Sequence, residues 1–465
     1  MNIEDIRKKH PEFIYERVQI ERLDDTLKIT FYFLLEPDIE FRPEIVIGSI
    51  NQSKFDSLRP ELLELLFFNL GLVEMLSYWK AACSPKIVVR AGHLDSEQIK
   101  WWEDLLLHGM GEFFFVNQIN YKQPDFVQIK PEDYQERPWP KYINDAPDHR
   151  NLVLTSGGKD TALTLQILQE SSQTFNCLML NPAQAALDLA SAANCQNPII
   201  IRRTIDPTLL RLNGIGYLNG HTPFSAYLAF LGVACAILFN YSRVIVSNER
   251  SSDECNVQYL GSEVNHQYSK TFRFEKRFQE YVENYLASNT YYFSLLRPLY
   301  ELQIAKLLAD YPKYLTLFKS CNRNQRQNSW CGRCPKCISV FILLYPFVQE
   351  EGIIQIFGED LFKNEKSIPI IKELTGFTGH KPFECVGTAE ETLAALCLGL
   401  RKVKEQQAPL SDTWRFVEEN ILRLNPHGEQ VVGKTLFGWD ERHNLPAEYE
   451  FLIKEHIKKI GKEEA

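Results

Sequence analysis

Asn151-Leu-Val-Leu-Thr155-Ser156-Gly157-Gly158-Lys159-Asp160-Thr161 begins as a short apolar strand, turns on two glycines and ends where a helical pattern starts. Gly157 and Gly158 permit a tight turn that brings backbone N–H groups close to a ligand. The following helix presents its positive N-terminus to that turn, a setting suited to a polyphosphate. Lys159 adds a mobile cation, and Asp160 a carboxylate able to reach Mg²⁺. Around this run, short apolar strands alternate with helical stretches: 152–155, a helix from Thr161, 177–180, a helix near 185–193, and 199–201. That alternation predicts an α/β fold, a parallel sheet with crossover helices.

The chain has 465 residues, too many for one ordinary core. Residues 1–130 read as an α+β N-terminal domain. Leu27, Ile29, Phe31 and Phe33 alternate along a half-buried strand over 26–36, and 41–48 reads as its hairpin partner. Helical spacing follows over 62–79, then a strand at 86–90. Asp95 and Gln98 form a capping-box pattern ahead of a helix carrying Trp101 and Trp102. Residues 131–150, with Pro131, Pro138, Pro140 and Pro147, read as a linker. The α/β domain takes 151–345, and a mostly helical C-terminal domain takes 346–465.

Composition excludes several classes. Hydrophobic residues at 45 % and charged residues at 24 % do not describe a disordered or fibrous chain. Fifty-one Lys plus Arg against sixty Asp plus Glu give a net charge of −9 with no basic run, so nucleic acid is not an expected partner. The first residues lack the apolar core of a signal peptide. Residues 223–241 carry no charge and approach the ~20 residues that span a bilayer. They include Ser225, Tyr227, Gly232 and Cys235 and run into a strand-like 243–247, so they read as a helix buried against a sheet rather than a membrane span. A cytoplasmic protein is expected.

The Ser-Gly-Gly-Lys-Asp-Thr run at 156–161 resembles the signature of the PP-loop ATP pyrophosphatases, with Thr161 at its last position. The resemblance implies a Rossmann-like sheet, ATP held by Ser156, Gly157, Gly158, Lys159, Asp160 and Thr161, and cleavage between the α and β phosphates with adenylation of a substrate oxygen. Gly428-Glu-Gln-Val-Val-Gly433-Lys434-Thr435 also fits G-x-x-x-x-G-K-T. It follows Asn425-Pro-His instead of a buried strand, and reads as coincidence.

Of eleven cysteines, Cys321, Cys331, Cys334 and Cys337 cluster with two close C-x-x-C spacings. Four thiolates suit a closed structural Zn²⁺ site, or an iron–sulfur cluster. The same cluster downstream of the same loop is similar to the cyano-deazaguanine synthases of queuosine biosynthesis, over roughly 150–345. Polar runs at 219–225, 247–254 and 264–271 lie between loop and cysteines, at positions where open α/β sheets bind ligands. Asn219, His221, Asn248, Arg250, Asn265 and Lys381 are the substrate-binding candidates. Thr388 and Glu391 form a second capping-box pattern, whose helix start could hold a carboxylate or phosphate with Lys381 assisting.

Ser247-Asn-Glu-Arg250, Val264-Asn-His-Gln-Tyr-Ser-Lys270 and Pro382-Phe-Glu-Cys-Val-Gly387, taken with the loop and the cysteines, resemble the UDP-N-acetylmuramoyl-L-alanyl-L-glutamate epimerase family of peptidoglycan synthesis. The resemblance implies use of ATP and Mg²⁺ to invert the terminal L-Glu of a UDP-muramoyl dipeptide. Lys159 would act on the phosphates, and its replacement by Ala is expected to abolish turnover with modest harm to folding. His266, Lys270, Cys255, Glu249 and Cys385 are the proton-transfer candidates. Two other readings share parts of the pattern: a PP-loop synthetase modifying a deazaguanine acid or tRNA base, and a nucleotide-sensing module without turnover.

Overall fold

Eleven strands form one sheet in the computed structural model, which describes residues 2–132, 139, 141–363, 365–425 and 428–463. Pro138 and Pro140 of the linker, and Pro426 and His427 before the refused motif, lie outside the described residues. The strands are β1 (Glu12–Leu23), β2 (Thr26–Leu35), β3 (Ile39–Phe41), β4 (Glu44–Ile47), β5 (Lys86–Val89), β6 (Gln128–Pro131), β7 (Asn151–Leu154), β8 (Phe175–Leu180), β9 (Ile199–Thr204), β10 (Arg243–Val246) and β11 (Tyr291–Ser294). Their order is β11-β10-β7-β8-β9-β4-β2-β1-β5-β6, with β3 paired to β2.

The five strands after residue 150 are mutually parallel. In sequence order they stand 3-2-1-4-5, the doubly wound arrangement whose order reverses between the first and fourth strands. Here that switch lies between β7 and β10, so a crevice opens beyond Leu154 and Val246. The antiparallel pair Ile201–Ile47 to Thr204–Glu44 continues the sheet into the strands before residue 131.

Local sequence accounts for these elements. Leu27, Ile29, Phe31, Phe33 and Leu35 are all buried along β2. The apolar run becomes a helix, Phe224–Leu238, with twelve of its fifteen residues buried. A Cβ at Gly232 would stand 2.8 Å from Val244 Cγ1, so the glycine lets this helix lie close on β10. Among the described residues, only 60–79 is long and apolar enough to cross a membrane, and 89 % of its apolar window is buried inside the molecule. Beyond 346 the described chain is helical apart from turns, and the last helix (Ala447–Glu463) brings Tyr449 beneath the sheet. There its hydroxyl donates to Asn151 Oδ1 at 2.7 Å and accepts from Arg243 at 3.2 Å, tying the starts of β7 and β10 together.

Candidate functional site

The turn after β7 leads straight into a helix, Lys159–Glu170, whose N-cap is Gly158 with no side-chain cap. Its first amides are therefore free for an anion. Ser156 and Thr161 hydroxyls meet at 2.9 Å and brace the turn from inside. Gly157 is required by packing: a Cβ there would fall 2.7 Å from Ala185 Cβ and 3.3 Å from the Ala186 nitrogen. The Gly157 carbonyl accepts from Lys319 N at 2.7 Å.

Lys159 is not a mobile cation. Its side chain is buried and ion-paired to Asp160 and to Glu301 at the start of a later helix, Glu301–Ala309. Burial works against the charge, but Asp160, Glu301 and Glu249 outweigh it and raise the pKa above the usual lysine value.

A cavity of about 240 Å³ opens beside this turn. Ser156, Gly157, Gly158 and Asp160 form one side, and Glu249, Lys270, Lys336 and Cys385 also line it. Lys270 Nζ lies 3.2 Å from Cys385 Sγ. Burial works to raise the Cys385 thiol, yet Lys270, His266 and Lys336 outweigh it and bring it down to about 6. Glu249 moves the other way, up to about 7, through burial and the neighbouring Glu301 and Asp160 carboxylates.

His266 sits behind Cys385. Its Nδ1 is hydrogen-bonded to Glu112 on the short helix Gly111–Val116, and His221 Nδ1 is 3.4 Å from the same carboxylate oxygen. Burial opposes protonation of His266, but Cys385 and Glu112 carry it up to about 9. His221 is pushed down to about 4 by burial and by the adjacent His266.

The other candidates fall elsewhere. Arg250 lies over the Tyr300 ring at 4.3 Å and 3.4 Å from Asp440. The Asn265 side chain bonds Ser252 O at 2.8 Å and Gln267 N at 2.6 Å, shaping its own turn. Cys255 and Asn265 line a separate cavity of about 470 Å³. Lys381 pairs with Glu254 at 2.7 Å. The Asn219 carbonyl accepts from Asn117 at 3.1 Å, and the Asn248 carbonyl from Ser294 at 2.5 Å. The Thr388–Glu391 capping box is present, and Glu391 is further tied to Ser251 Oγ at 2.7 Å, so that helix start is closed by its own side chains. Residues 428–435 lie in a helix, Gly428–Phe437, and form no phosphate turn.

Cys321, Cys331, Cys334 and Cys337 bring their sulfurs within 4.8 Å of one another, a group that could hold a metal ion. Gly332, at φ +66°, makes the turn between the second and third possible. The cluster braces the site. Lys336, between two of the cysteines, donates its N–H to Glu384 at 2.8 Å and its ammonium to the Cys385 carbonyl.

Beside the turn lies a larger cavity of about 570 Å³, sharing Ser156 and Gly157 and walled by Leu178, Leu180, Phe224 and Leu228, with Arg326 at its edge.

Sequence reasoning missed Glu301, Glu112 and this apolar chamber. Lys336 had a signal in its place within Cys-Pro-Lys-Cys. Glu112, between Gly111 and three phenylalanines, had none.

The MurL N-terminal domain matches residues 4–295 and the MurL C-terminal domain residues 317–422. The chain belongs to the MurL family. The first match takes in strands on both sides of 131–150, as the continuous sheet does. Similar proteins include the UDP-N-acetyl-alpha-D-muramoyl-L-alanyl-L-glutamate epimerase of Micromonospora sp., 35 % identical over 75 % of this chain and 77 % of its own. Those of Salinispora tropica and Xanthomonas oryzae pv. oryzae are each 32 % identical, over 79 % and 81 % of this chain and 80 % and 83 % of theirs.

Proposed function

We propose that this MurL-family chain is a cytoplasmic, ATP-dependent epimerase that adenylates the terminal L-Glu carboxylate of UDP-MurNAc-L-Ala-L-Glu and inverts its α-carbon, releasing AMP and pyrophosphate. The observation that carries the reading is the 240 Å³ cavity, where a glycine turn with free helix amides shares one space with Glu249, Lys270 and Cys385. The names of the three relatives supply the substrate.

The chemistry explains the need for ATP. The α-proton of an ionised carboxylate is weakly acidic, because its enolate would carry a second negative charge. Adenylation removes that charge, so a side chain can take the proton from one face and another return it to the other. In a PP-loop arrangement ATP would occupy the two adjoining chambers, base and ribose against Leu178, Leu180 and Phe224, phosphates over the amides of 157–159. Lys159, held between Asp160 and Glu301, would fix the first turn of the helix beneath them. The smaller cavity suits only the glutamyl end, leaving the UDP-sugar outside.

Asp160, which faces the cavity, would hold Mg²⁺, whose charge offsets that of the phosphates. The donor set of the cysteine cluster, four sulfurs within 4.8 Å and three of them buried, suits structural Zn²⁺. Its task would be to fix Lys336 and, through it, Cys385.

Incubation with UDP-MurNAc-L-Ala-L-Glu, ATP and Mg²⁺ in D₂O tests the reading. Expected are AMP, pyrophosphate and a D-Glu product deuterated at the α-carbon, all dependent on ATP. ADP with orthophosphate, or AMP with unlabelled L-Glu peptide, would refute it.

A further inference from the structure

Two acidic groups in the same cavity are shifted in opposite directions, the Cys385 thiol down and the Glu249 carboxyl up. Cys385 enters from the segment after residue 380, and its sulfur lies 3.2 Å from Lys270 Nζ with His266 behind it. Glu249 enters from the turn after β10, only 4 % exposed, and lines the same cavity with Lys270 and Lys159 as its cationic neighbours.

We infer that Cys385 and Glu249 are the two proton-transfer groups of the inversion, with Cys385 the base that strips the L-configured α-carbon and Glu249 the acid that delivers a proton to the opposite face. The assignment rests on the epimerase reading above and names its reacting side chains.

The direction follows from the surroundings. The cations around the thiol are Lys270, His266 and Lys336, which leave it ionised near neutral pH, at about 6. Around Glu249 stand Glu301 and Asp160, opposed by Lys270 and Lys159, and the carboxyl is pushed up to about 7. A thiol held down by cations and a carboxyl held up by burial and neighbouring carboxylates are suited to the base and acid roles of L-to-D inversion. In the step itself the α C–H bond breaks, its proton passes to Sγ, and its electron pair enters the enolate of the activated carboxyl. The Glu249 O–H then breaks as its proton bonds to the α-carbon from the other side. Solvent exchange restores both groups. Lys270, which acts on both, is a positioning residue that stabilises whichever is anionic.

The roles predict different labelling by the full-length enzyme with UDP-MurNAc-L-Ala-L-Glu, ATP and Mg²⁺ in D₂O. A thiol exchanges its proton with solvent, so Glu249→Gln should form AMP and return deuterated L-Glu peptide, because Cys385 removes and replaces on one face. Cys385→Ser, and Cys385→Ala as a second variant, should form AMP and return unlabelled L-Glu peptide. Inversion should slow by about 10²–10⁴-fold in each. Iodoacetamide labelling of Cys385 in the native enzyme should rise through a midpoint near pH 6, a readout independent of turnover. The exchanged labelling pattern, inversion by Glu249→Gln at near-native rate, or loss of AMP formation in Glu249→Gln would each overturn the assignment while the epimerase reading stands. Native enzyme that makes no AMP would overturn both.

Discussion

Lys159 offers the sharpest test of how the site is held together. The lysine and Glu301 side chains are each 1 % exposed and ion-paired, so removing the cation strands a carboxylate in the interior. Breaking a buried pair from one side costs about 3–5 kcal/mol, a large part of the roughly 5–15 kcal/mol that holds a domain folded. Lys159→Met keeps the stem and deletes the charge, and should lower the unfolding free energy, obtained from urea titration followed by tryptophan fluorescence, by an amount in that range, with a lower midpoint. The modest harm expected from sequence is thereby revised upward. Adding Glu301→Gln removes the stranded charge, and the double variant should recover a large share of the loss without recovering turnover. The pH dependence has a definite sign. Burial works to raise Glu301, but Lys159 and Lys336 hold it below its ordinary 4.5, so the native pair's contribution is complete above that value and fades as pH falls through the lower folded one. In Lys159→Met the folded Glu301 must instead rise above its unfolded value, so the deficit is largest near neutrality and shrinks as pH falls toward 4.5. A midpoint unchanged by Lys159→Met, or a double variant no more stable than the single, would refute this account of the buried pair.

Other expectations are more compact. Cys334→Ser should lose bound metal and destabilise the fold, because closed thiolate sites couple metal binding to folding; native protein with no metal, or with an iron chromophore, would defeat the zinc assignment. Gly157→Ala should remain folded yet bind ATP at least about tenfold more weakly in calorimetry, since a Cβ 2.7 Å from Ala185 forces the turn outward. An unaltered affinity would show that this turn does not cradle the phosphates. Glu112→Gln removes the anion facing His266, so the imidazolium supporting the Cys385 thiolate is weakened and the iodoacetamide midpoint should move up from about 6 by on the order of one unit. No movement would remove Glu112 from any role at this thiol.

What was legible in the sequence is what is local. Hydrophobic alternation gave β2, apolar runs gave β7 to β10, Asp95–Gln98 and Thr388–Glu391 announced capped helices, and cysteine spacing announced the cluster. These signals need only neighbours a few residues apart. The longest strand, β1, went unmarked because the adjacent polar residues Glu16 and Arg17 break its alternation, at the point where its pairing with β2 shifts register between Tyr15 and Arg17. The merging of two strand sets into one sheet depends on β4 meeting β9 across more than 150 residues, which no local pattern encodes. The site divides the same way: the turn and cysteines could be read, whereas Glu112, Glu301 and the partners of Arg250 and Lys381 are set by tertiary contact.

That division bears on why the chain is so long for the chemistry proposed. The glycine turn needs only a parallel sheet and one helix start, but a thiolate beside it needs cations brought from several directions at once. Lys270 comes from the polar run after β10 and Lys336 from within the cysteine cluster. His266 is held by Glu112 from a helix before residue 131. No one of these elements could lower a half-buried thiol alone, since burial raises it and each cation must first offset that cost. The continuous sheet fixes the N-terminal helix that carries Glu112 against the same frame that carries the turn. The C-terminal helices and the cysteine cluster fix Cys385 against that frame from the other side. The helix that carries Glu112 and the cysteine cluster that carries Lys336 thus bear together on the charge of one sulfur.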